Sequence, residues 1–360
     1  MAELGLGLGT SHAPQLFLEP QYWRTLAETV DTRNPDLLSP RTGRVTPFDA
    51  LRAEVAVADP ALLARLAPDH QRALYDRCQA GQAAVAAALR AYAPEVLVIV
   101  SDDQEELLFD DNMPMFAIYW GSTFTLLPRQ APPGRGGPVY EAMRRGWGDT
   151  ELDVPVDTAL GEHLITYLAE HDFDIAHLRY LRELYGGSVG PAGYLAHRRE
   201  TPPTRRGMPH GFAYVVKTIL NSEPLPIVPV FVNACYPPNR PTPRRCWAFG
   251  RALRQAIEAW PVPKRVAIIA SGGLSHYVLD EELDQLTIRG LQTRDLDLLA
   301  ALPRLDSPTG EIRNWIVVGG ACEHLTFELF DYVPAPRSEA GTGGGWCFAR
   351  WASYGITSPS

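Results

Sequence analysis

The sequence predicts an α/β fold: a central, mostly parallel or mixed sheet flanked by helices, in a single domain with large loops. Three observations predict it. The runs Val96-Leu97-Val98-Ile99-Val100 and Val266-Ala267-Ile268-Ile269-Ala270 are continuous and largely β-branched, as strands buried on both faces are. Such runs alternate with longer stretches of helical period. Three strand-type runs also end in short polar loops: Gly9-Thr10-Ser11-His12, Ser101-Asp102-Asp103-Gln104 and Ser271-Gly272-Gly273-Leu274-Ser275-His276. Loops beyond the carboxyl ends of strands are where open α/β sheets assemble ligand sites.

Taken in order, residues 3–9 form a short, Gly-punctuated strand leading to His12. Residues 31–60, rich in Pro, Arg, Asp and Thr, read as an ordered excursion over the surface. The apolar spacing of 68–92 predicts a helix, which Pro94 ends. Strand 96–100 stops at the acidic loop 101–106, strand 115–120 is bounded by Gly121, and 127–138 reads as a Pro/Gly-rich loop. Asp157-Thr158 can cap a helix over 157–171, ahead of strand 173–178. Residues 183–209 hold many Gly, Pro and Arg. Helix 211–220, strand 227–232, helix 243–259 and strand 265–270 follow, then helices 280–301 and 310–330. The Gly-, Pro- and Ser-rich end, 331–360, reads as partly ordered at most. The expected division is a domain over 1–335 and a tail over 336–360.

Composition narrows the function classes. With 46% hydrophobic and 21% charged residues, the 360-residue chain can bury a sizeable core and is not a disordered polyelectrolyte. Its net charge of −9, without any long basic run, argues against a nucleic-acid partner. The five cysteines are scattered and form no C-x-x-C pair, so reduced, mostly buried thiols are expected. Neither a signal peptide nor an apolar run of membrane-spanning length is visible, so a soluble, cytoplasmic protein is expected.

The chemistry-bearing residues follow from the loops. His12, after a Gly-rich strand, can bind a divalent metal through one ring nitrogen while an acceptor holds the other. The run Ser101-Asp102-Asp103-Gln104-Glu105-Glu106 packs four carboxylates together, which either calls for a cation or marks a solvated acidic loop. His210, in Met208-Pro209-His210-Gly211-Phe212, and His276, behind Gly272-Gly273, titrate near neutrality and suit general acid or base work. Glu311 opens the predicted helix 310–330, where a carboxylate can also serve the helix dipole alone.

These segments occur in the order Gly9-Thr10-Ser11-His12, Val98 to Gln104, Pro209-His210-Gly211-Phe212, Gly272-Gly273-Leu274-Ser275-His276 and Glu311-Ile312-Arg313-Asn314-Trp315. Together they resemble the class III extradiol ring-cleaving dioxygenases, the family of the protocatechuate 4,5-dioxygenase catalytic subunit. The resemblance implies a mononuclear Fe(II) held by two His and one Glu, open to a small aromatic diol and to O2. It implies His12 and Glu311 as metal ligands, His276 and His210 as catalytic histidines, and, more weakly, His163 near the substrate. It also implies a homodimer.

The chain departs from the family at the second ligand, where Asp103-Gln104 stands in place of Asp-His. The branch that looks like 3-O-methylgallate dioxygenases shares this Asp-Gln. Gln104 is the first candidate for the vacated position, followed by Asp103 or Asp102, then His70. A carboxylated ring would need a cation, for which Arg205, Arg206 and Arg313 are candidates, and Phe116 and Trp120 could wall the ring. Two other readings keep the fold: a metal-poor binding or partner subunit, and a metal-dependent hydrolase or isomerase.

Overall fold

The computed structural model describes residues 1–109, 112–128, 137–148, 150–181, 207–305 and 307–353. Its strands are β1 (Glu3–Thr10), β2 (Val96–Asp102), β3 (Phe116–Tyr119), β4 (Thr123–Leu126), β5 (Leu152–Pro155), β6 (Ala176–Leu178), β7 (Ile227–Val232), β8 (Arg265–Ser271), β9 (Thr326–Pro336) and β10 (Gly343–Ala352). Short helices α1 (Pro14–Phe17), α2 (Trp23–Thr29), α3 (Phe48–Ala58) and α4 (Leu62–Arg65) precede the long α5 (Pro68–Tyr92). Then come α6 (Pro138–Arg145), α7 (Thr158–Glu170), α8 (His210–Tyr214), α9 (Pro243–Ala259), α10 (Glu281–Thr293), α11 (Leu296–Ala300) and α12 (Ile312–Ala321).

Eight strands form one mixed sheet in the order β6-β3-β7-β2-β8-β1-β10-β9. Its centre, β7-β2-β8-β1, is parallel throughout. β3 joins β7 antiparallel on one side, and the β9–β10 hairpin joins β1 antiparallel on the other. The alternation of side chains explains the continuous apolar runs. Val96, Val98 and Val100 face the layer holding α7, α9 and α12, while Leu97 and Ile99 face the layer holding α5 and α8. Helix α12 lies so close to β1 that a Cβ on Gly9 would meet a ring carbon of Trp315 at 2.1 Å. Glycine is therefore what lets that helix reach the end of the strand.

Several helix boundaries follow from local chemistry. Asp157 caps α7 by accepting the Leu160 N–H at 3.0 Å, as the Asp157-Thr158 pair predicts. Pro68 opens α5, and Ala93, in the left-handed region at φ 50°, closes it ahead of Pro94. The predicted helix 280–301 is two helices, because Arg294 turns left-handed at φ 58° and Asp295 caps the second. The predicted helix 211–220 is an α turn followed by π-helical backbone over Val215–Ile219. The excursion 31–60 contains α3; of the loop expected at 127–138, residues 129–136 lie outside the described residues, and α6 begins at Pro138.

The largest correction concerns the end of the chain. Helix 310–330 stops at Ala321, and 326–336 and 343–352 form two long strands where a partly ordered tail is expected. β10 is buried along its whole length between β1 and β9. Its glycines are demanded by packing: a Cβ on Gly345 would meet the Asp284 carboxylate at 1.9 Å. Their count reads as turn composition in sequence, while Trp346, Phe348 and Trp351 carry the strand into the core.

The hairpin is tied to the N-terminal excursion through Arg337. Its Nε and Nη2 each donate to an Asp31 carboxylate oxygen at 2.8 Å, and Nη1 donates to Gln15 Oε1 at 2.9 Å. Asp31 is fully buried, so the pair is screened from water. Among the described residues, no helix is long and apolar enough to cross a membrane. All five cysteines are free, and four are buried.

Removing one partner of the buried pair should be costly, because the other charge is left uncompensated. Asp31→Ala is expected to lower the unfolding free energy by about 3–5 kcal/mol. Glu28→Ala, which breaks the exposed Arg24–Glu28 pair, is expected to change it by less than about 1 kcal/mol. Urea unfolding distinguishes the two, and equal effects would remove the special weight given to Asp31.

Candidate active site

The parallel strands β1, β2, β7 and β8 end at one edge of the sheet, so the loops after them converge. β1 delivers Ser11 and His12, and β8 delivers Ser271 with Gly272-Gly273. The Gly272 N–H donates to Thr10 O at 3.0 Å, holding these two loops together. His12 Nδ1 lies 2.9 Å from Ser271 Oγ, and that hydroxyl donates its single proton to Gly211 O at 2.8 Å. The Ser271 oxygen must therefore accept from His12 Nδ1–H. His12 Nε2 is buried, makes no hydrogen bond, and stands 3.5 Å from Glu311 Oε2.

Glu311 leads into α12 and is almost completely buried. Its Oε2 accepts the Gly273 N–H at 2.7 Å. Its Oε1 accepts from Gln104 Nε2 at 2.9 Å and faces His276 Nε2 at 3.1 Å. Burial works against the charge, but His276 and His12 outweigh it and hold the carboxyl well below the usual range. Glu311 is ionised.

His276 Nδ1 faces Leu274 O at 3.0 Å, so both ring nitrogens point at acceptors. Burial alone would lower its pKa, but the Glu311 charge and hydrogen bond raise it. Its backbone is pinned by Thr309, whose hydroxyl accepts the His276 N–H and donates to the His276 carbonyl at 2.7 Å. His210 opens α8. Its Nδ1 and its backbone N–H both meet the Glu106 carboxylate. Burial opposes a charged imidazole there, yet the charge and hydrogen bond of Glu106 raise its pKa to about 9. A Cβ on Gly211 would meet Ser101 Oγ at 2.1 Å and His12 Cε1 at 2.9 Å, so glycine is needed for this close approach.

His12, His210 and Glu311 each offer one ligand atom, all within 4.8 Å of one another. Two imidazoles and a carboxylate, one imidazole nitrogen being buried without a partner, fit a divalent first-row cation. Gln104 touches this group through Glu311. The other candidates for the second ligand do not join it. Asp103 is turned into its own loop, accepting the N–H groups of Glu106, Leu107 and Leu108. Asp102 Oδ1 accepts from Asn314 Nδ2 at 3.1 Å, and burial together with the Glu311 charge pushes its pKa up to about 6. His70 is exposed in the first turn of α5.

His163 lies away from the cluster. Its Nε2 meets Ala256 O at 2.9 Å, near the end of α9 and so toward the opposite edge of the sheet. Arg313 is buried and donates to the carbonyls of Pro241, Ala234 and Leu305, which makes it a loop-holding residue. Arg205 and Arg206 fall outside the described residues. Phe116 stacks on Phe249 at 4.0 Å in the core, and Trp120 Nε1 donates to His177 at 3.0 Å. Neither walls the cluster.

Sequence reasoning missed Thr309, Asp284 and the particular parts played by Ser271 and Glu106. The acidic run contains Glu106, but only folding brings residue 106 to residue 210.

With this geometry in view, comparison with known proteins is decisive. The family described as the catalytic LigB subunit of aromatic ring-opening dioxygenase matches residues 59–324. The chain belongs to that family. A gallate dioxygenase from Pseudomonas putida is 45% identical over 75 residues, covering 20% of this chain and 22% of that protein. A 2,3-dihydroxyphenylpropionate/2,3-dihydroxicinnamic acid 1,2-dioxygenase from Comamonas testosteroni is 29% identical over 196 residues, covering 54% of this chain and 47% of that protein. These matches span less than half the length of either relative. A crystal structure of an uncharacterized protein from Escherichia coli K12 aligns with TM-score 0.42 at 14% identity, covering 74% of this chain and 90% of that one.

The loop bearing His276 is anchored from behind by Asp284 of α10. Ser275 donates to it through its N–H at 2.7 Å and its hydroxyl at 2.8 Å, and Tyr332 OH donates at 2.7 Å. Burial outweighs these donors and pushes the Asp284 pKa from 3.8 to about 7. The folded protein thus keeps a proton that the unfolded chain releases. This carboxyl's contribution to stability is whole below about pH 4 and lost as pH rises through about 7. Asp284→Asn cannot titrate. Wild-type stability relative to that variant is expected to fall by about 2–3 kcal/mol between about pH 5 and about pH 8, by urea unfolding. A constant difference would mean that Asp284 is charged throughout.

Proposed function

We propose that this chain is an extradiol-type dioxygenase, opening the ring of a catechol- or gallate-type diol with O2 and using Fe(II) held in part by His12 and Glu311. The observation that carries the reading is the buried Nε2 of His12, without a hydrogen-bond partner, facing the ionised Glu311 carboxylate at 3.5 Å. A buried imidazole nitrogen without a hydrogen-bond partner, set beside an ionised carboxylate, is a place a bound cation would fill. Imidazole and carboxylate donors with positions left open suit non-haem Fe(II) oxygenases. Family membership and the two diol- or gallate-named relatives support an aromatic substrate.

Bound Fe(II) would supply adjacent positions for the diol oxygens and O2, and a path for electrons between them. The protein's own groups do the rest. Ser271 fixes the His12 tautomer, and the Gly273 N–H orients Glu311. His276 holds a proton at Nε2 against Glu311 Oε1, placed to exchange it with a diol oxygen. His210 borders the same space, its ring 4.7 Å from that of His12. The converging His12, His210 and Glu311 side chains give no support to a metal-poor binding subunit, and the family match none to a hydrolase.

Anaerobic loading with Fe(II), followed by an aerobic panel of catechols and gallates, tests this. About one iron per chain, O2 consumption and a ring-opened product are expected. His276→Ala should keep its iron while kcat/KM falls about 10²–10⁴-fold. Unchanged turnover in that variant removes the proton-carrying role, and iron binding without O2 uptake on any diol sinks the reaction. Ser271→Ala should weaken Fe(II) binding about 10–100-fold, measured by anaerobic titration.

A further inference from the structure

We infer that His210, oriented by Glu106, is the third side chain that holds the metal, and that Gln104 is a hydrogen-bond donor to Glu311 rather than a ligand. The inference rests on the ferrous reading above and deepens it.

Three histidines approach Glu311 or its neighbours, and their second nitrogens distinguish them. A ligating imidazole commits one nitrogen to an acceptor and leaves the other for the ion. His12 does so through Ser271. His210 does so through Glu106, whose carboxylate meets its Nδ1. The same carboxylate accepts the His210 backbone N–H at 3.1 Å, which fixes the ring at the mouth of α8. His276 differs, because its Nδ1 serves Leu274 O and its Nε2 serves Glu311 Oε1. It has no nitrogen to spare.

Gln104 presents its amide nitrogen to Glu311 Oε1 at 2.9 Å. An amide N–H cannot coordinate a cation. Turning the amide over would set its oxygen against an ionised carboxylate oxygen at that distance. The atoms that do converge are those of His12, His210 and Glu311. An ion about 2.1 Å from each ligand bridges atoms up to roughly 4.2 Å apart. The span of 4.8 Å therefore closes with sub-ångström adjustment of each side chain.

The test counts imidazoles on the metal in the whole protein, independently of turnover. Cu(II) is added below one equivalent, and electron spin-echo envelope modulation reports the coordinated imidazoles. Two are expected in the wild type and in Gln104→Leu, and one in His210→Asn. Anaerobic Fe(II) titration should show affinity falling more than about 100-fold in His210→Asn and about 10–100-fold in Glu106→Gln. Gln104→Leu should lose less than His210→Asn. One imidazole in the wild type, or a larger loss in Gln104→Leu than in His210→Asn, overturns the assignment. If His210→Asn does not fold, the wild-type imidazole count decides alone. A wild type that binds no stoichiometric metal overturns the functional reading itself, and this inference with it.

Discussion

A single ionised carboxylate, that of Glu311, is buried where the loops after β1, β2 and β8 meet, and its charge organises everything around it. An unpaired carboxylate in that position would be far too costly to remain ionised. It is held by the Gly273 N–H, by Gln104 and by His276, with His12 facing its second oxygen. Burial, together with the same charge, pushes neighbouring Asp102 toward its neutral form, so two nearby acids have opposite tendencies. Environment, not residue type, separates them.

That carboxylate can be placed only because the scaffold is rigid on both sides. The parallel core β7-β2-β8-β1 fixes the strand ends, and α12 packs onto β1 through the bare backbone of Gly9. Behind the site, Asp284 and Tyr332 brace the loop that carries His276. Tyr332 belongs to β9, so the C-terminal hairpin contributes to the support of the site as well as to the sheet edge. In front, Ser271 and Gly211 link β8 to α8 through one hydroxyl.

The strands and long helices were legible because each has one strong signal. β2 and β8 are unbroken apolar runs, and α5 begins at a proline and ends just before another. β10 was not legible, because Gly343-Gly344-Gly345 has the composition of a turn and its requirement is set by a side chain from another element, Asp284. The break between α10 and α11 depends on one left-handed arginine, which residue type does not announce. His163 stands apart from the cluster, on a helix where its Nε2 meets a carbonyl of the neighbouring helix.

The sequence by itself determined the α/β class and the strand-end loops, and it singled out His12, His210, His276 and Glu311 as candidates, because motifs at strand ends are local and strand burial leaves an apolar signature. Only the tertiary structure decided which ring nitrogens of these histidines are held by a neighbour and which are left over. That depends on Ser271, Glu106 and Leu274, and hydrogen-bond partners separated by up to 259 positions exert no pattern along the chain.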